Sequence, residues 1–127
     1  SGRGSSAIAL MASFPHVQDR VQRWMEEVEK ARWFSSRMEA LGGIRQLGDR
    51  PHNHDLMRFE TPALHEIAKR HRRRGYFLHE ELQRRGIVGL KPGRTKAIEV
   101  STYGLSRKQL EYVVESFRDI LEKFGVG

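Results

Sequence analysis

The chain contains no cysteine in its 127 residues, which excludes disulfides, thiolate-ligated zinc and a thiol nucleophile within it and fits a reducing compartment. It has no apolar run near the roughly 20 residues of a membrane span and no secretory signal at its start, so a soluble, cytoplasmic protein is expected. Aromatic residues make up only 9% of the chain and rarely interleave with the basic ones, which disfavours a stand-alone module that stacks single-stranded bases. No glycine-rich phosphate loop opens a helix, no serine or carboxylate is spaced with a histidine as a triad, and no unit occurs twice. One domain's worth of core is present, small for a complete cofactor enzyme.

Positive charge is what the chain has in excess. The formal net charge is +7, an argument about partners rather than fold, because it draws polyanions by long-range attraction. RNA is the natural candidate. Lys69-Arg70-His71-Arg72-Arg73-Arg74 forms one run, and Arg84, Arg85, Lys91, Arg94 and Lys96 follow it. A second reading of the run is a solvated helix end before Gly75 whose cations complement the helix dipole.

Hydrophobic spacing organises the rest. Ser5 to Ala12 is small and apolar without a turn residue and reads as one short helix, broken at Phe14-Pro15. From Val17, Val21, Trp24, Val28, Ala31, Phe34, Met38 and Leu41 form a helical stripe that Gly42-Gly43 ends. Ile44 to Leu47 and Leu56 to Glu60 read as strands around a Gly48-Asp49-Arg50-Pro51 turn. Thr61-Pro62 starts a helix, with threonine as cap and proline at the first helical position. Tyr76 to Arg85 is a further helix closed by Gly86, and Ile98 and Val100 alternate as in a half-buried strand. Ser106, with Gln109 three residues on, has the spacing of a capping box. Leu110, Val113, Val114, Phe117, Ile120, Leu121 and Phe124 then give the last helix a broad apolar face, whose expected partner is the sheet holding Ile98 and Val100. The order helix, strand, strand, helix, helix, strand, helix defines an α+β fold: a small antiparallel sheet with helices mainly on one face.

Few clusters carry chemistry. His52, Asn53, His54 and Asp55 lie between two strands, and two histidines with a carboxylate could hold a metal, but a third convergent ligand would have to come from elsewhere; no metal site is assigned. His16, His65, His71 and His79 read as structural, and no catalytic residue is assigned.

Several segments, in order, carry a resemblance that spans essentially the whole chain: Ser13-Phe-Pro-His-Val17, Gln46-Leu-Gly-Asp49, Pro51-His-Asn-His-Asp-Leu-Met57, Gly75-Tyr-Phe-Leu78, Gly89-Leu-Lys-Pro-Gly93 and Ser101-Thr-Tyr-Gly-Leu-Ser106. Together they resemble the C-terminal part of the O-phosphoseryl-tRNA:cysteinyl-tRNA synthases, archaeal pyridoxal-phosphate enzymes that turn phosphoserine on transfer RNA into cysteine with a sulfur donor. The resemblance implies a fold type I, aminotransferase-like enzyme, with residues 1–16 ending the large catalytic domain and 17–127 forming the small domain with its long connecting helix. It also implies that the cofactor lysine and the sulfur-handling cysteines lie upstream, so that this piece alone is inactive and cannot bind pyridoxal 5'-phosphate covalently.

Further implications follow residue by residue. Arg3, Gly4 and Ser5 resemble the family's arginine-glycine segment near the dimer interface and the cofactor phosphate. Related aminotransferase-like enzymes carry a carboxylate-clamping arginine just before the serine of the last strand. Here Glu99-Val100-Ser101 stands there, as suits a substrate whose carboxylate is esterified to tRNA. For tRNA contact the candidates are Arg72, Arg73, Arg74, Lys91, Arg94 and Lys96. Implied partners are O-phosphoseryl-tRNA(Cys), phosphoseryl-tRNA synthetase, a helical bridging protein and a second copy in a homodimer, with no membrane. The alternatives are a basic RNA- or protein-interaction module and the small domain of another pyridoxal-phosphate enzyme.

Overall fold

The structure is a computed structural model that describes residues 8–10, 17–48, 56–90 and 95–125. Its elements run β1 (Ile8–Ala9), α1 (Val17–Glu39), β2 (Arg45–Leu47), β3 (Leu56–Glu60), α2 (Pro62–Arg70), α3 (Tyr76–Arg84), β4 (Ile87–Val88), β5 (Ala97–Ser101) and α4 (Arg107–Phe124). This is a mixed α/β fold of four helices and two small sheets.

Alternation builds the larger sheet, which is antiparallel in the order β2-β3-β5. Phe59 faces Ile98 and Met57 faces Val100 across the β3–β5 ladder, and all four are buried. On the opposite side Arg58 pairs with Glu99 at 2.9 Å and Arg45 with Glu60, all at strand positions open to solvent or partly so. One face therefore joins the core while the other is a ladder of exposed ion pairs, the pattern expected when helices cover one face.

The helices close the buried face. Ala31, Phe34 and Met38 of α1, Leu64 and Ile67 of α2, Phe77 and Leu82 of α3, and Leu110, Val113, Phe117 and Ile120 of α4 share one hydrophobic cluster with the sheet. Phe34 meets Phe59 edge to face with ring centroids 6.1 Å apart, a favoured aromatic geometry. Helix α4 lies alongside α1, α2 and α3, so its apolar face is covered by helices as well as by the side chains of the sheet.

Two punctuation marks act as read from sequence. Gly42 and Gly43 follow α1 with φ of 84° and 75°, and a Cβ on Gly43 would lie 2.4 Å from the Ala63 Cβ. At α4 the Ser106 hydroxyl accepts from the Gln109 N–H at 3.1 Å and the Ser106 N–H donates to the Gln109 side chain at 2.9 Å, a complete capping box.

Two expectations are corrected. Within the stretch read as a helix over Ser5 to Ala12, Ile8 and Ala9 instead pair in parallel with Ile87 and Val88, a strand that the spacing had not suggested. The Ile8 N–H reaches the Gly86 carbonyl and the Leu10 N–H the Val88 carbonyl, each at 2.9 Å, and tertiary pairing overrides the local preference of a short apolar run. Thr61 occupies the N-cap position of α2 but makes no side-chain cap bond; its hydroxyl donates to the Thr95 carbonyl, tying α2 to the segment that leads into β5.

Candidate nucleic-acid interface

The basic run is divided between structure and surface. Helix α2 ends at Arg70, and the chain turns through His71 to Gly75 into α3. The His71 ring is wedged against Phe77 and Phe124, with centroids 5.3 and 5.2 Å away, and its Nδ1 accepts from the Arg73 N–H at 2.9 Å. The ring contacts and this hydrogen bond make His71 the anchor of the turn. Arg70 donates to the Phe124 carbonyl at 3.4 Å, Lys69 pairs with Glu66 at 3.2 Å and Arg73 with Glu80 at 2.8 Å. Arg72 and Arg74 are exposed and have no ion pair among the described residues, and Arg74 is held at φ 51°. A positive φ is uncommon outside glycine and fixes the direction in which this arginine leaves the turn.

Lys96 lies elsewhere. Its carbonyl accepts from the Thr61 N–H at 2.8 Å at the start of α2, while its side chain is exposed. The nine residues of α2 put about 13 Å between Lys96 and the arginine turn at roughly 1.5 Å per residue. The candidates therefore bracket α2 rather than form one cluster. Lys91 and Arg94 lie outside the described residues, as do Arg3, Gly4, Ser5 and the His52 to Asp55 segment. Among the described residues no group of three histidines or carboxylates is placed to hold a metal, and no helix is long and apolar enough to cross a membrane.

Two charged groupings escaped the sequence reading. Glu81 is buried on α3 and takes the Arg84 and Arg85 guanidiniums at 3.0 and 2.9 Å, with the Lys123 ammonium of α4 at 3.6 Å. Burial pushes its carboxyl up, but the Arg85 hydrogen bond and the three positive charges outweigh that and hold it below its ordinary value. This cluster ties α3 to α4. The other grouping sits where the last turn of α1 meets the start of α4: the guanidiniums of Arg37 and Arg107 lie 5.5 and 5.2 Å from the centre of the Trp33 ring, and Lys108, next in sequence to Arg107, is exposed. The signal in the sequence was a pair of cations directly after the Ser106 cap, where acidic residues are favoured.

Geometry thus defines a basic mixed α/β unit whose cations flank its helices and which offers a polyanion several contacts. The chain belongs to the family described as O-phosphoseryl-tRNA(Sec) selenium transferase, SepSecS, whose model matches residues 1–122. It is 54% identical over 123 residues to the O-phospho-L-seryl-tRNA:Cys-tRNA synthase of Methanopyrus kandleri, a match covering 97% of this chain and 31% of that protein. It is equally similar to a second synthase of that name from Archaeoglobus fulgidus, over 97% of this chain and 32% of the relative. A solved structure of a SepCysS complex with the SepCysE N-terminal domain superposes with a TM-score of 0.80 at 49% identity, covering 87% of this chain and 29% of that one. The chain spans about a third of the length of the curated relatives it matches.

Proposed function

We propose that this chain is the C-terminal third of a tRNA-dependent cysteine synthase, an enzyme that converts O-phosphoseryl-tRNA(Cys) to cysteinyl-tRNA(Cys) in the cytoplasm with an external sulfur donor. The observation that carries the reading is 54% identity over 97% of the chain to a synthase of that specificity. Residues 1–16 end the large domain and 17–127 form the small one; the pairing of Ile8–Ala9 with β4 is how the first would be fastened to the second.

Pyridoxal phosphate, the electron sink that makes a β-substituent leave, would be bonded by the upstream part. Among the described residues Lys30, Lys69 and Lys123 face carboxylates at 3.0, 3.2 and 3.6 Å, and Lys96 and Lys108 are exposed. A lysine that bonds the cofactor carbonyl is shielded and free of such pairing, so none of these suits that role. Arg3, Gly4 and Ser5 are the candidates for the segment near the dimer interface and the cofactor phosphate, on their resemblance to the family's arginine-glycine segment. The small-domain arginine of related enzymes would have no task with an esterified substrate, and Glu99 at its place is spent on Arg58.

The role of this third is to hold RNA. Arg72 and Arg74, together with Lys96, supply charge left uncompensated by neighbouring carboxylates, and Lys91 and Arg94 are kept as candidates from the sequence alone. A second role is protein contact: α1 exposes Met25 at 80% and Trp24 at 44%, apolar positions that suit the upstream domain, phosphoseryl-tRNA synthetase or a bridging helix.

The test is direct binding. An in vitro transcribed tRNA(Cys) should bind the chain with an affinity that falls as salt rises, and Arg72→Glu with Arg74→Glu should weaken it about tenfold or more at roughly 0.1 M salt. Unchanged affinity in a folded double variant removes the turn from the interface.

A further inference from the structure

Ion pairing spreads the charge of this chain unevenly. Cations of the sheet, Arg45 and Arg58, and of the helices and their flanking turns, among them Arg73, Arg85 and Arg118, each face a glutamate. At the corner of α1 and α4, Arg37, Arg107 and Lys108 have no ion pair among the described residues.

That corner is costly to the fold. Arg107 and Lys108 occupy the first turn of α4, which contains no acidic residue, and cations there oppose the positive end of the helix dipole. Two guanidiniums over one indole also repel each other. The Trp33 ring offers partial relief, because each cation lies within about 6 Å of its centre, the range of cation–π attraction. Of the first α4 amides, that of Gln109 is already taken by the Ser106 hydroxyl. What remains is the exposed Arg107 and Lys108 and the partly exposed Arg37.

We propose that Arg37 and Arg107, set beside Trp33, and the exposed Lys108 that follows Arg107 in sequence form a second contact surface for the RNA phosphate backbone. This deepens the reading that the chain serves a tRNA-dependent enzyme and rests on it. A guanidinium held near an aromatic ring and without a carboxylate partner can offer its N–H fork to a phosphate by two hydrogen bonds. The corner lies at the N-terminal end of α4, whereas Phe124 at the other end touches His71 of the arginine turn. The 18 residues of α4 separate the two patches by about 25 Å. One small anion cannot span that distance; a rigid arm of RNA carries phosphates along all of it.

The experiment measures tRNA(Cys) affinity of the 127-residue chain across a salt series, with polyglutamate as a competing acidic polymer. Arg107→Glu with Lys108→Glu should lower affinity about tenfold or more and reduce the slope of log affinity against log salt by about two. Arg37→Gln, which carries no reversed charge, should reduce the slope by about one. The thermal midpoint of the double variant should not fall, since glutamates suit the first turn of a helix. Loss of binding on Arg72→Glu with Arg74→Glu alone, with the corner variants unchanged, overturns this inference and leaves the proposed function standing. Displacement of tRNA by polyglutamate at equal charge concentration assigns the corner to an acidic protein and overturns it. Absence of tRNA binding by the parent chain overturns both.

Discussion

At the scale of single residues, charge that looks alike in the sequence has separate uses once it is placed. Arg73 and Arg85 pair with glutamates, Arg70 caps a carbonyl, and Arg72 and Arg74 stay open. The run from Lys69 to Arg74 was legible as a basic helix end, but its division was not, because Glu80 and Phe124 come from other elements. Glu81 was illegible for the same reason: a lone glutamate on a helix reads as exposed, and only folding buries it beside Lys123. Glu81→Gln should cost about 1–3 kcal/mol at neutral pH through lost charge-assisted hydrogen bonds. Because the folded carboxyl lies below its ordinary value, its contribution is complete above the unfolded-state value of about 4.3 and is lost as pH falls through the lower folded value. Denaturant titrations between neutral pH and about pH 3 should therefore show the variant and parent converging in acid; a constant difference would assign the loss to packing.

At the scale of elements, periodicity carried most of the information. Helix α1 and its double-glycine stop, the β2–β3 pair, β5 and the capped α4 all follow from spacing and end signals, since each has an apolar stripe that local geometry must bury. The β1–β4 ribbon did not follow. Two-residue strands have no measurable period, and their partners are nearly 80 residues apart in the chain. Thr61 shows another limit: a capping residue type stood at the right place, but the Thr95 carbonyl competed for its hydroxyl. Ser106 has no such competitor. Ser106→Ala should cost about 1 kcal/mol, read as a lower thermal or denaturant midpoint with α4 helicity otherwise kept; an unchanged midpoint would mean that the box contributes nothing net.

At the scale of the whole molecule, the unit has a buried core and a finished sheet face, yet it carries a net charge of +7 and covers about a third of the synthases it resembles. Its uncompensated cations sit at both ends of α4 and at the start of α2, which suits a long anionic partner better than a small substrate. The candidate site was legible as residue types and as a charge run, while the Trp33 corner required the helices to be brought together. Transplantation tests the central claim most directly: this chain replaces the matching third of the Methanopyrus kandleri synthase, and cysteinyl-tRNA formation from O-phosphoseryl-tRNA(Cys) and sulfide is measured. Turnover within about tenfold of the parent, with none from the 127-residue chain alone, is the expected result. A folded chimera that binds its cofactor and tRNA yet forms no cysteinyl-tRNA would contradict it.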